Sequence, residues 1–163
     1  MRQEDGQAMS DRPRSNPPIP GSGPTEPDAA QPKTAQLHVG CMMFGRWGIN
    51  NPRSVERIVH QALDVGFYGF DTAPSYGDGD SETMLGRALA SRSDSSAICT
   101  KVAAPPQGMS VAEGSATLAA SIDASLRRLR RDSIELVLIH RVDDDTPIGL
   151  VLDALLSVCP VCE

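Results

Sequence analysis

From Leu37 onward, short apolar runs alternate with stretches whose apolar residues recur every three or four positions. This alternation predicts repeated strand–helix units feeding a parallel sheet. Four units are expected. The first pairs a strand at residues 37–43 with a helix that has Asn51 as N-cap and Pro52 at its first position. Val55, Ile58, Val59, Ala62 and Leu63 form its apolar face, and Gly66 is its left-handed terminator. The second joins a strand at 67–71 to a helix at 82–90, opened by Ser81 and carrying Met84, Leu85, Ala88 and Leu89 at helical spacing. The third begins with a strand at 97–101, and its helix carries Leu118, Ile122, Leu126 and Leu129. Ser110 and Glu113 have capping-box spacing, while Gly114 and the preceding prolines argue against an early start. The fourth strand, 134–139, is the most apolar run in the chain. Thr146 and Pro147 then open a helix along Ile148, Val151, Leu152, Leu155 and Leu156.

Composition separates this region from its surroundings. Residues 1–33 are dense in Pro, Gly, Ser, Gln and charge with almost no large apolar side chain, so they cannot offset their ordering entropy and read as a disordered tail. Glu4, Asp5, Asp11, Glu26 and Asp28 make that tail too acidic for a transit peptide. Residues 34–158 form the folded domain and 159–163 an atypical terminus. The 163 residues carry a net charge of −6, which argues against a nucleic-acid partner held through phosphates. Arg127, Arg128, Arg130 and Arg131 read as a solvated helix end, favoured by the helix dipole. No apolar run approaches the roughly 20 residues of a membrane span, and no secretory pattern opens the chain, so a cytoplasmic protein without a membrane partner is expected. Cys41 and Cys99 lie in apolar runs and read as buried, reduced thiols. Cys159 and Cys162 form a CxxC with no second ligand pair nearby. No metal is therefore expected, and an altered reading-frame terminus explains the motif better than redox or zinc chemistry.

Chemistry concentrates at the strand ends. Asp71, Lys101 and His140 close the second, third and fourth strands, so three ionisable side chains emerge at one end of consecutive parallel strands, the catalytic end of a βα barrel. Each alone has an ordinary explanation: a loop-capping Asp, a solvent-seeking Lys, a satisfied interior His. Their coincidence favours a site. Tyr76 lies in the loop beyond Asp71. The Asp78-Gly79-Asp80 step reads as a polar turn rather than a calcium loop, and Glu82 as a helix-start carboxylate.

Five segments in order resemble the aldo-keto reductases, specifically the branch with a longer second-strand loop that includes potassium-channel beta subunits and many bacterial oxidoreductases. They are LHVGCMMFG at 37–45, the GF…DTA…SYG…SE…LG pattern at 66–86, TKV at 100–102, SLRRL at 125–129 and DSIELVLIHR at 132–141. The resemblance implies a (β/α)8 TIM barrel, here truncated to about four βα units. It also implies reduction of an aldehyde or ketone with NADPH, with NAD as the alternative cofactor. It assigns a tetrad of Asp71, Tyr76, Lys101 and His140. Tyr76 donates the proton, the Lys101 ammonium favours the tyrosinate left behind, Asp71 holds Lys101, and His140 aims the small carbonyl substrate. Gly40, Cys41 and Met42, with Asp71, are the implied cofactor contacts, although Cys41 replaces the small polar residue common there. Trp47 lines the substrate pocket or covers the barrel rim. A full barrel takes about 250 residues. Four units would leave two parallel strand edges open to self-association, and would omit the segments that in the family grip the adenosine phosphates. The alternative is a noncatalytic fragment that keeps part of the fold and binds a partner.

Overall fold

The computed structural model describes residues 37–92, 96–142 and 145–158. The expected tail, residues 1–33, and the Cys159/Cys162 terminus lie outside the described residues. In chain order the elements are β1 (His38–Gly40), α1 (Pro52–Asp64), β2 (Gly69–Asp71), a short 3-10 helix (Tyr76–Gly79), α2 (Asp80–Ala90), β3 (Ala97–Val102), α3 (Val111–Leu129), β4 (Leu136–Ile139) and α4 (Ile148–Val158). The four strands form one parallel sheet in the order β1-β2-β3-β4, as the strand–helix alternation predicts.

Helix ends follow the sequence signals closely. The Asn51 side chain accepts from the Arg53 amide and Pro52 stands at the first helical position of α1, whose buried residues are Val55, Val59 and Leu63. At the other end Gly66 takes φ +90°, the Gly66 amide donates to the Leu63 carbonyl and the Phe67 amide to that of Ala62. This is a Schellman termination, and it ties up Phe67, so β2 begins later than the apolar run suggests. The capping box of α3 is complete: Ser110 Oγ accepts from the Glu113 amide, and the Glu113 carboxylate accepts from the Ser110 amide at 2.9 Å. Gly114 sits inside this first turn because Pro105 and Ala154 press close to it.

Strands and two other assignments differ from expectation. β1 ends at Gly40 because the chain folds back, the Phe44 amide donating to the Cys41 carbonyl and the Ile49 amide to that of Met43. α2 begins at Asp80 behind a left-handed Gly79, and Ser81, expected to open that helix, has its hydroxyl engaged elsewhere. In α4 the buried residues are Val151 and Ala154, while Leu152 and Leu156 are exposed, because only one side of this apolar helix meets α3 and β4.

Side chains on the helix-facing side of the sheet build two cores. The larger joins Phe70 and Ile98 of the sheet to Val55, Val59 and Leu63 of α1, Leu85, Ala88 and Leu89 of α2, and Leu129 of α3. The smaller gathers Val102, Leu118 and Ala154, with Val137 and Ile139 against them. Close approach of α2 to α3 depends on Gly86, where a Cβ would stand 2.6 Å from the Arg128 and Leu129 carbonyl oxygens. The opposite face carries Asp71, Lys101, Leu136 and Leu138, the last two exposed. β1 and β4 each have one strand neighbour among the described residues.

Candidate active site

Strand alternation sorts the residues at the sheet's C-terminal end into two sets. Asp71 and Lys101 point to one side, and their neighbours Thr72 and Thr100 to the other. On the first side Lys101 Nζ donates to Asp71 Oδ1 at 2.5 Å and to the Thr72 carbonyl at 3.0 Å. The same ammonium lies 5.0 Å from the centre of the Tyr76 ring. Burial acts to lower the Lys101 pKa, but the hydrogen bond and charge of Asp71, together with the nearby Tyr76 side chain, outweigh it, so the group stands above the ordinary lysine value. Lys101 is therefore a permanent cation beside the Tyr76 phenol near neutral pH.

His140 follows β4 directly, and its amide donates to the Val102 carbonyl at 2.8 Å, which continues the sheet register into the site. Its ring stands edge-on to that of Tyr76, centroids 5.6 Å apart and planes at 87°. Burial first, then the charges of Lys101 and Arg141, hold its pKa below the usual imidazole value against the opposing pull of Asp71. At neutral pH the ring is uncharged. Its Nδ1 is 3.2 Å from Ser75 Oγ.

These groups open onto a cavity of about 530 Å³. Tyr76, Lys101 and His140 line it together with Met42, Trp47 and Arg141. Trp47, half exposed, thus reaches the pocket rather than only covering the rim. Cys41 behaves differently. Its thiol is fully buried, donates to the Val39 carbonyl, and is pushed far up in pKa by burial and by Asp71. Its amide donates to the Asp71 carbonyl, and its own carbonyl accepts from Phe44 and Ser81. Every polar atom of Cys41 is thereby engaged within the chain. Gly40 is open, with no heavy atom within 4 Å of where a Cβ would stand. Cys99 is also a free, buried thiol, raised by burial and by Asp71, as the sequence predicts.

Behind the site lies a buried polar clasp that sequence reasoning missed. Ser81 donates to the Cys41 carbonyl at 2.7 Å and is 2.8 Å from Thr72 Oγ1. Thr100 donates to Glu82 Oε1 at 2.6 Å, and Arg128 Nε donates to Glu82 Oε2 at 2.6 Å. Two adjacent residues of α2 therefore hold the ends of β1, β2 and β3 next to Met42, Asp71 and Lys101. Glu82 stands in the first turn of α2, as the helix-start reading expects, and its carboxylate is fully buried. Nor are all the arginines of 127–131 a solvated end: Arg128 pairs with Glu82, and Arg131 hydrogen-bonds Ser96. The available signal was the pair of threonines on the helix-facing side, Thr100 in β3 and Thr72 just after β2, polar groups that need buried partners. The Asp78-Gly79-Asp80 step, expected to be a plain polar turn, instead ends the 3-10 helix and opens α2, and both carboxylates pair with Arg46, at 2.7 and 2.9 Å. Among the described residues no cluster of His, Cys, Asp and Glu suits a metal ion, and no helix is long and apolar enough to cross a membrane.

Comparison with known proteins agrees with this geometry. The model of the aldo/keto reductase family matches residues 36–158. The aldo-keto reductase YhdN of Bacillus subtilis is 31% identical over 122 residues, which cover 71% of this chain and 37% of that protein. L-Glyceraldehyde 3-phosphate reductase of Escherichia coli is 30% identical, with coverage of 73% and 38%. Among solved structures, the holo form of aldo-keto reductase AKR11C1 from Bacillus halodurans superimposes with a TM-score of 0.61 at 31% identity, covering 75% of this chain and 41% of that one. An aldo-keto reductase of Klebsiella pneumoniae solved with NADPH shares the fold, with a TM-score of 0.61 at 24% identity and coverage of 74% and 40%. The chain thus spans about two-fifths of the length of the relatives it matches. Its four-stranded parallel sheet corresponds to part of their barrel, and the chain belongs to the aldo/keto reductase family.

Proposed function

We propose that this chain carries the proton-donating side of an NADPH-dependent carbonyl reductase, with Asp71, Tyr76, Lys101 and His140 as its tetrad. The observation that supports it best is the Lys101 ammonium held by Asp71 at 2.5 Å and set beside the Tyr76 ring, with His140 edge-on to that ring in the same cavity. NADPH, when bound, supplies the hydride that reaches the carbonyl carbon. Negative charge then grows on the carbonyl oxygen, and Tyr76 gives that oxygen its proton. Lys101 stabilises the resulting tyrosinate until solvent returns the proton. His140, uncharged, orients the carbonyl oxygen of a small aldehyde or ketone, and Trp47 walls the pocket. Bare backbone at Gly40 suits a nicotinamide ribose, so the cofactor contacts fall to Gly40, Met42 and Asp71. Cys41, its polar atoms engaged, serves by holding the end of β1.

Titration with NADPH, followed by cofactor fluorescence, is expected to give micromolar binding. Tyr76→Phe is then expected to leave binding intact and to lower carbonyl reduction by about 10²–10⁴-fold. No binding at millimolar cofactor would rule out catalysis by this chain. One observation favours a second reading, a noncatalytic chain that associates through its sheet: Leu136 and Leu138 are 46% and 40% exposed, and β4 has one strand neighbour among the described residues. Sedimentation that shows a monomer at every concentration would exclude self-association of that kind.

A further inference from the structure

We propose that Ser75 is a positioning residue for His140, its hydroxyl donating to Nδ1 and so placing the single ring proton on Nε2. The inference rests on the carbonyl-orienting role given to His140 above, and it adds the device that makes the neutral ring a donor. An uncharged imidazole has one N–H and one bare nitrogen, and only the N–H can hydrogen-bond a carbonyl oxygen. A ring with its proton on Nδ1 would turn a lone pair toward the substrate and repel it.

Three features bear on which tautomer forms. First, the ring is uncharged near neutral pH, for the reasons of burial and neighbouring cations given above, so the tautomer decides what it can do. Second, Nδ1 of the ring makes the Ser75–His140 contact at 3.2 Å, and among the described residues Nε2 has no partner. Third, Ser75 is held independently of His140. It follows Pro74 in a tight turn in which the Tyr76 amide donates to the Ala73 carbonyl at 3.1 Å, and it lines the same cavity as the ring. A hydroxyl is both donor and acceptor, but an O–H aimed at a bare imidazole nitrogen uses the stronger acceptor of the pair. The backbone of residues 73–76 therefore presents both the proton donor, Tyr76, and the group that sets the polarity of its partner, His140.

Long-range ¹H–¹⁵N correlation spectra of the uniformly labelled full chain, recorded above the imidazole pKa, read the tautomer directly. The bare nitrogen resonates far downfield of the protonated one. His140→Gln identifies the signals of that ring against those of His38 and His60. The expected result is an Nε2–H ring in the native chain, a mixture of tautomers in Ser75→Ala, and recovery in Ser75→Thr. An Nδ1–H ring in the native chain, or a tautomer unchanged by Ser75→Ala, would overturn the proposal. NADPH titration of the same samples reads the reductase assignment separately, since the tautomer is measured without cofactor or turnover. With turnover, Ser75→Ala is expected to lower kcat/KM about three- to tenfold, the scale of one neutral hydrogen bond, and Ser75→Thr to restore it. A loss that Ser75→Thr fails to restore would also count against the proposal.

Discussion

Replacing Arg128 with Met tests the clasp behind the site. Methionine keeps much of the aliphatic stem, which lies so close to Gly79 that a Cβ there would meet Arg128 Cδ at 2.7 Å, and removes only the guanidinium. Glu82 then keeps Thr100 as a partner for Oε1, but Oε2 loses both its hydrogen bond and its counter-charge in a fully buried position. Removing one partner of a buried ion pair costs about 3–5 kcal/mol. The Arg128 side chain is 30% exposed, so water enters readily and the lower end applies, about 3 kcal/mol. Single domains are stable by about 5–15 kcal/mol, so the substitution removes a large share of the total. Glu82→Gln in the same chain takes away the orphaned charge and keeps an acceptor for Thr100. The double variant should therefore lose only about 1–2 kcal/mol, the scale of an imperfectly satisfied polar group. Urea unfolding followed by circular dichroism measures all three chains, with an unchanged slope showing that the compactness of the states is preserved. A loss under about 1 kcal/mol for Arg128→Met, or a double variant as unstable as the sum of the singles, would refute the assigned dependence of Glu82 on Arg128.

Other substitutions probe neighbouring features. Gly86→Ala places a methyl 2.6 Å from the Arg128 and Leu129 carbonyl oxygens, so it should separate α2 from α3 and cost about 1–3 kcal/mol, read from the thermal midpoint. Arg130 closes α3 at φ 56°, a conformation that penalises side chains, and Arg130→Gly should raise stability by about 0.5–1 kcal/mol in the same assay. His140 has a folded-state pKa below its unfolded value of about 6.5. Its contribution is therefore complete above pH ~6.5 and is lost as pH falls through the lowered folded value. Native stability measured across that window should rise with pH more steeply than that of His140→Gln, and parallel curves would contradict the assignment.

Local signals made much of the fold legible. Asn51 and Pro52 open α1, Gly66 closes it and Ser110 with Glu113 opens α3, because these act within a few residues and need no tertiary partner. The strand ends that carry Asp71, Lys101 and His140 were legible for a related reason: each polar residue terminates an apolar run. Strand lengths were less so, since the apolar run before Asp71 includes Phe67, whose amide belongs to the end of α1. In α4, Leu152 and Leu156 match the helical period as well as Val151 does, and only the position of neighbouring elements decides which are covered. Glu82 and Arg128 are 46 positions apart, and no local pattern pairs them. Ser75 has its partner 65 positions away, beyond the reach of any local pattern.

The strand order has a bearing on how the chain acquires its structure. Among the described residues every strand pairs with the one before or after it in sequence, so each crossover closes a loop of roughly 30 residues. Loop-closure entropy grows only with the logarithm of length, so the three closures cost nearly the same. Units can add one at a time from the N-terminal side as the chain is synthesised. The β1–α1–β2 unit can thus form a template before Lys101 or His140 has left the ribosome, and the groups of the site would assemble in the order in which they are translated.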